Sequence, residues 1–262
     1  MSEPATATLP SVVCVTGTDT GVGKTIATAA IGAALRARGL TVAVYKPTQA
    51  GLEDGQGDID VVRTLGGLEQ VHEGIRLLYP MAPAAAAQRE GVELPPLETH
   101  LQTIRRIAAT VDHLLVEGAG GLLVPLDGAG HTLADVASAL RGQGLMSVGA
   151  VVVCRAALGT LNHSELTFEA LERRGVPITG MVIGAWPPHP GPIELTNREY
   201  FERHPVPVLG TIPQGAGALE PEAFRRAAAG WLPGMAPAAT VPGDIPGGRE
   251  DDPSRRTGDP GR

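Results

Sequence analysis

One run of ten residues constrains this chain more than any other feature: Thr16-Gly-Thr-Asp-Thr-Gly-Val-Gly-Lys-Thr25. It follows an apolar stretch, Val12 to Val15, and opens an Ala-rich segment from Ile26 to Arg38. Strand, glycine-rich turn, helix is the setting in which a phosphate-binding loop works. Its backbone N–H groups cradle phosphate oxygens, and the N-terminus of the new helix adds about half a positive charge. Lys24 reaches the β- and γ-phosphates, and the Thr25 hydroxyl ligates Mg²⁺. Gly21, Val22, Gly23, Lys24, Thr25 and Ile26 are therefore the candidate nucleotide contacts. The strict pattern, G-x-x-x-x-G-K-[ST], would put its first glycine at Thr18. Glycine stands one place earlier, at Gly17, so this loop is one residue longer.

Apolar runs alternate with helical patterns along the rest of the chain. Strands are expected at Ser11–Thr16, Thr41–Tyr45, His113–Val116, Met146–Cys154, Pro177–Ile183 and Val206–Ile212. Helices are expected at Gly23–Arg38, Asp58–Leu65, Ala84–Glu90, Leu97–Thr110, Thr132–Arg141, Asn162–Arg174, Glu194–Arg203 and Pro221–Leu232. Such alternation predicts an α/β fold of the P-loop NTPase type: a doubly wound, mostly parallel sheet with helices on both faces. The strands read as apolar on both sides, as that burial requires. The expected organisation is a flexible N-terminus over 1–10, a single catalytic domain over 11–233, and a Pro/Gly-rich tail over 234–262 that reads as disordered.

Composition removes several function classes. The net charge is −7 with no run of Lys or Arg, which argues against nucleic acid or an anionic membrane surface as partner. No segment reaches the ~18 apolar residues of a membrane span. The N-terminus lacks the basic patch and apolar run of a signal peptide, so the chain reads as cytoplasmic. Cys14 and Cys154 both fall in expected strands, as small buried hydrophobes rather than a disulfide or a metal pair.

In a parallel sheet, ligands sit at the carboxyl ends of the strands. After the second strand comes Lys46-Pro-Thr-Gln-Ala-Gly51, which puts a lysine beside the phosphate loop. Alone, Lys46 would read as a snorkelling surface residue. After the strand at 113–116 comes Glu117-Gly-Ala-Gly-Gly121, an acid at a strand tip opposite the loop, the Walker-B arrangement that holds Mg²⁺. Gly118, Ala119 and Gly120 let backbone approach a ligand closely. A third carboxylate, Asp58 or Asp60, follows Lys46; Asp58 also reads as a helix N-cap. Asn162 and Glu165 read as a capping box.

Taken together these segments closely resemble the dethiobiotin synthetase family of biotin biosynthesis. The resemblance rests on Val15–Thr25, Lys46-Pro47 with Gly51, Asp58, Met81–Ala86, Val116–Gly121 and Leu158–His163, spread over about residues 11 to 213. It implies a homodimeric cyclo-ligase that takes 7,8-diaminononanoate, CO₂ or bicarbonate, and ATP. One amine becomes a carbamate, the carbamate attacks the γ-phosphate, and the second amine closes the ureido ring and expels phosphate. It implies catalytic roles for Lys46 and Lys24, and Mg²⁺ held by Thr25, Asp58 and Glu117. It also implies nucleotide contacts at Gly184, Ala185 and Pro213, and substrate contacts at Ala50, Gly121 and Asn162, the last across a dimer interface. Met81–Ala87 would line the nonanoate chain.

Two positions depart from the family. Ala50 stands where a Ser or Thr usually contacts substrate, and Gly184 where an Asn often reads adenine. The second departure predicts that CTP or GTP also supports turnover. Two rival readings share the loop. A dimeric ATPase switch of the positioning type wants an early loop lysine, yet Thr18 and Asp19 stand there. An amidoligase of cobalamin synthesis needs a glutaminase domain with a nucleophilic cysteine, for which this chain has no room.

Overall fold

The computed structural model describes residues 7–51, 55–144 and 146–235. Seven strands form one sheet: β1 (Val12–Gly17), β2 (Val42–Gln49), β3 (Gln70–Arg76), β4 (His113–Gly121), β5 (Val148–Cys154), β6 (Ile178–Trp186) and β7 (Val208–Pro213). They run across it in the order β3-β2-β4-β1-β5-β6-β7, each pair parallel. Among the described residues, eight α-helices pack around the sheet: α1 (Lys24–Arg36), α2 (Asp58–Gly66), α3 (Pro83–Glu90), α4 (Leu97–Ala108), α5 (Leu133–Gly142), α6 (Thr160–Glu172), α7 (Pro192–Glu202) and α8 (Pro221–Trp231).

Successive residues of a strand point to opposite faces, and β1 divides its side chains between two cores. Val13 and Val15 pack with α1, α2 and α8 around Ile31, Val62 and Phe224. Val12 and Cys14 pack with α4 to α7 around Ile104, Leu140, Phe168 and Phe201. All of β1 is buried. Each buried aliphatic side chain of this kind contributes about 1.5–3 kcal/mol. The buried face of α1 is rich in Ala and Gly, which lets it pack closely on its neighbours. A Cβ on Gly32, for instance, would stand 3.3 Å from Leu68 Cδ2 and closer still to Cδ1. Both cysteines are free and buried, and burial pushes each thiol pKa up to about 12.

Three expectations need correction. β3 is absent from the sequence reading because Gln70, His72, Glu73 and Arg76 break the apolar pattern. It is an edge strand, half exposed, and needs no second apolar face. β2 and β4 run further than expected, so Lys46, Pro47 and Glu117 lie inside strands rather than beyond them. Pro47 is tolerated because β2 pairs with β4 only as far as Tyr45, opposite Val116. Finally, α6 begins at Thr160 after Gly159, so Asn162 is not its N-cap. Glu165 instead accepts a hydrogen bond from the Tyr200 hydroxyl at 2.9 Å.

Residues 1–6 of the expected flexible N-terminus, and 236–262 of the expected tail, lie outside the described residues. Gly234 and Met235, where that tail was expected to begin, are ordered: Gly234 donates to the Leu209 carbonyl at 2.9 Å and Met235 is buried. Among the described residues no helix is long and apolar enough to cross a membrane.

Candidate active site

The site lies at the carboxyl ends of β1, β2 and β4. β1 delivers the phosphate loop, and Gly23, in the left-handed region at φ 96°, turns the chain into α1. No acidic residue occupies the first turn of α1, so the helix presents an uncompensated positive end. Lys24 Nζ donates to the Asp19 carbonyl at 2.9 Å, curling back over its own loop. The loop's entry is fixed by Thr18 N–H donating to Val153 O at 2.9 Å. Asp19 also pairs with Arg155, at the end of β5, a partner that nothing in the local sequence announces.

β4 places Glu117 opposite Val15, one strand away from the loop. Its carboxylate is 1% exposed. Oε1 accepts from the Thr25 hydroxyl at 3.0 Å and from Lys46 Nζ at 2.9 Å. Lys46 Nζ also pairs with Asp58 Oδ2 at 2.6 Å and approaches the Gly118 carbonyl at 3.4 Å. One buried ammonium therefore balances two carboxylates from different elements. Burial alone would lower the Lys46 pKa, but Glu117 and Asp58 outweigh it and hold it above the ordinary lysine value. Burial would raise the Asp58 pKa, but Lys46 outweighs that and holds it below the ordinary carboxylate value. Burial, with the nearby Lys46 charge, outweighs the pull of Glu117, Asp58 and Asp19 and lowers the Lys24 pKa.

Glu117 Oε2 is buried and has no hydrogen-bond partner among the described residues. A buried carboxylate oxygen left unsatisfied is costly unless something of opposite charge meets it. With the Thr25 hydroxyl and the half-exposed Asp58 carboxylate, it forms a set of hard oxygen donors. Mg²⁺ sites in nucleotide enzymes use such sets, with one or two carboxylates completed by phosphate and water. The residues present fit that ion.

These groups border a cavity of about 620 Å³. Of the expected contacts, Gly21, Gly23, Lys24, Thr25, Ile26, Lys46, Ala50, Asp58, Ala119 and Gly120 line it. Val22 and Glu117 lie buried behind it. Met81 and Ala82 form part of its apolar wall, together with Pro80 and Pro83. Gly121 faces a second cavity of about 350 Å³, shared with Asp19, Leu123 and His163. Asn162 is exposed on the first turn of α6 and lines neither cavity.

Comparison with known proteins follows the geometry. The profile described as AAA domain (AAA_26) matches residues 11–222. The ATP-dependent dethiobiotin synthetase BioD of Mycobacterium avium (strain 104) is 45% identical over 231 residues, covering 86% of this chain and 99% of that one. That of Rhodococcus jostii (strain RHA1) is 45% identical over 224 residues, covering 85% and 94%. The chain belongs to the dethiobiotin synthetase family. Solved structures agree on the fold. The septum site-determining protein MinD from Pyrococcus horikoshii, complexed with Mg-ADP, is 18% identical with a TM-score of 0.51, over 83% of this chain and 93% of that one. The signal recognition particle receptor FtsY from Elizabethkingia anophelis is 14% identical with a TM-score of 0.50, over 87% and 68%.

The remaining expected contacts of this synthetase family member sit on the other side of α1. Ala185 and Pro213 are exposed at the ends of β6 and β7, which are tied there by Gln214 N–H donating to Trp186 O at 2.8 Å. Gly184 is buried against the phosphate loop. A Cβ on Gly23 would stand 2.7 Å from Gly184 O, and one on Gly184 would collide with the Val22 carbonyl. The glycine read as a missing base contact is thus also a packing requirement. Nothing short of the paired strands could have revealed that.

Proposed function

We infer that this chain makes dethiobiotin from 7,8-diaminononanoate, CO₂ and ATP, acting as a cyclo-ligase of biotin biosynthesis. The observation that carries the reading is the high identity to curated synthetases over nearly their whole length. The buried Lys46–Asp58–Glu117 cluster beside the phosphate loop fits the chemistry.

The reaction forms a carbamate on one amine. A carbamate oxygen then bonds to the γ-phosphorus as the bond to ADP breaks, leaving a carbamic–phosphoric anhydride. The second amine attacks the carbamoyl carbon, the ring closes, and phosphate leaves with the electron pair of the C–O bond. Phosphoryl transfer of this kind needs alignment and neutralised charge more than covalent help.

Lys24 and the backbone N–H groups of residues 21–26 bind the phosphates. Lys46, kept protonated by its two carboxylates, attracts the anionic carbamate and steadies charge on the transferring group. Thr25, Asp58 and Glu117 would hold Mg²⁺, which would supply charge neutralisation for the phosphates. Ala50 offers only backbone to the substrate, and Met81 with its neighbours shelters the alkyl chain. Gly184, Ala185 and Pro213 flank the base, and the absence of a side-chain amide at 184 leaves other triphosphates acceptable.

The working form is a cytoplasmic homodimer, with residues 11–233 as the catalytic domain. Support for the dimer is the exposed apolar pair Leu123 and Leu166 at the second cavity, with exposed Leu158 just before α6, the helix whose first turn carries Asn162. Across that interface, Asn162 receives the substrate carboxylate, and Gly121 is a further substrate contact.

The test is direct. Purified protein releases phosphate from ATP only when diaminononanoate and bicarbonate are both present, and the product has the mass of dethiobiotin. Phosphate release stimulated instead by DNA, lipid or glutamine overturns the reading.

A further inference from the structure

Asp58 is the odd member of the donor set. Thr25 and Glu117 are fixed by α1 and by β4, both packed into the centre of the sheet. Asp58 opens a helix of nine residues that follows a glycine-rich connection, with Gly51 and Gly55 both in the left-handed region. The residue before it, Gly57, has no side chain with which to cap the helix. Asp60 Oδ2 accepts from the Gly57 N–H at 3.1 Å, but another group must satisfy the Asp58 N–H.

The last residue of β2 does this. The Asp58 N–H donates to Gln49 Oε1 at 2.8 Å. Gln49 Nε2 donates to the Ala50 carbonyl at 2.9 Å, which orients the amide with its oxygen toward α2. The side chain is 4% exposed. Its backbone is anchored as well: Gln49 pairs with Arg76 of β3, and its carbonyl accepts from Leu77 N–H at 2.8 Å. Gly57 accommodates the amide, since a Cβ there would stand 3.3 Å from three Gln49 side-chain atoms. The helix thus has its cap supplied from a neighbouring strand. The same strand, three residues earlier, carries Lys46, which pairs with the Asp58 carboxylate at 2.6 Å.

We propose that Gln49 is a positioning residue for metal binding: its carboxamide sets the start of α2, so that the Asp58 carboxylate is aligned with Glu117 and Thr25. Gln49 does not line the cavity of about 620 Å³. It acts on the amide of Asp58, and it couples the position of that carboxylate to the strand that delivers Lys46. The proposal rests on the reading that Asp58 belongs to the metal donor set.

Three measurements test it. Gln49→Met keeps the length and removes the acceptor. It should raise the Mg²⁺ concentration for half-maximal rate at least tenfold while leaving kcat at saturating Mg²⁺ within threefold. Binding of Mn²⁺ in the presence of a non-hydrolysable ATP analogue, followed by its electron paramagnetic resonance, should weaken to match. In an Asp58→Asn background, Gln49→Met should change Mg²⁺ dependence less than twofold. A merely structural role would lower Tm or active fraction without moving the metal dependence, and that outcome overturns the proposal. So does full additivity with Asp58→Asn. A further measurement needs no variant: in the wild-type protein the Asp58 amide should exchange with solvent at least tenfold more slowly than the amides of Gly55 and Gln56. Equal exchange overturns the proposal. If Asp58→Asn itself leaves Mg²⁺ dependence unchanged, the donor-set reading fails as well. If Asp58→Asn shifts it and Gln49→Met does not, only the role of Gln49 falls.

Discussion

The two sides of the phosphate loop are built on opposite principles. Toward β2 and β4 the strand ends carry buried charge: Lys46 between Asp58 and Glu117, with the Thr25 hydroxyl on the same carboxylate. Toward β6 and β7 they carry almost none, and backbone meets backbone at Gly23 and Gly184. Charged groups out of water are tolerated only where each finds a partner, so the first side is specified by electrostatics. The second is specified by shape. On the proposed function, chemistry belongs to the charged side, and the base is left to a side that offers little to read it with.

The contrast is broken most severely at its charged centre. Lys46→Ala should cost on the order of 3–4 kcal/mol of transition-state stabilisation, by analogy with loss of one oxyanion donor. Single-turnover rates of phosphoryl transfer check this, and a near-wild-type kcat for the variant refutes the catalytic role. Lys24→Ala should lose a similar amount through the phosphates.

On the uncharged side the damage should be to stability rather than chemistry. Gly184→Ala forces a methyl group against the Val22 carbonyl and should cost about 1–3 kcal/mol, the usual range for overpacking. Denaturant unfolding measures it. An unchanged midpoint would mean that the loop and β6 part freely, and that the contact does not define this side.

A subtler test is pH. The Asp58 carboxyl lies below its ordinary pKa because Lys46 is beside it, after burial has pushed the other way. A depressed carboxyl contributes stability above its unfolded pKa and loses it as pH falls through the folded value. Tm should therefore decline on the acid side, below the ordinary carboxylate range. Lys46→Met should abolish or reverse that decline, since burial then holds the carboxyl above its unfolded pKa and the variant gains stability as the carboxyl protonates. An unmoved acid limb would show that the pair is not what links stability to pH.

The smallest effect concerns the base. kcat/KM for CTP and GTP should lie within tenfold of the value for ATP, less than about 1.4 kcal/mol of discrimination. A larger preference for ATP would mean that the uncharged side reads the base after all, through backbone or through Ala185 and Pro213.

How much of this was legible beforehand follows the same division. The charged residues could be found one strand end at a time, because a lysine or a glutamate at the tip of an apolar run is a local signal. Lys46 and Glu117 stand out that way, whereas Asp58 shares its place after Lys46 with Asp60 and is chosen only by the family resemblance. The alternative for Lys46, a solvated surface lysine, was removed only by its 2% exposure. Gln49 went unnoticed, since a glutamine beyond a lysine-proline pair has no pattern of its own. β3 was missed because a half-exposed edge strand has no need of the apolar alternation by which strands are recognised. The Asn162–Glu165 box was a false local signal: Gly159 starts α6 earlier, and Glu165 turns instead to Tyr200.

The sequence by itself determined the phosphate loop, the alternation of strand and helix, and the residue types able to hold phosphate and metal. These depend on chemistry spaced over a few residues, and the chain writes such spacing directly. Tertiary structure alone decided that one lysine serves two carboxylates, that Gln49 caps a helix it does not belong to, and that Gly23 and Gly184 require each other. Each of those joins residues from different elements, and the parallel sheet that brings them together is set by the packing of its two cores.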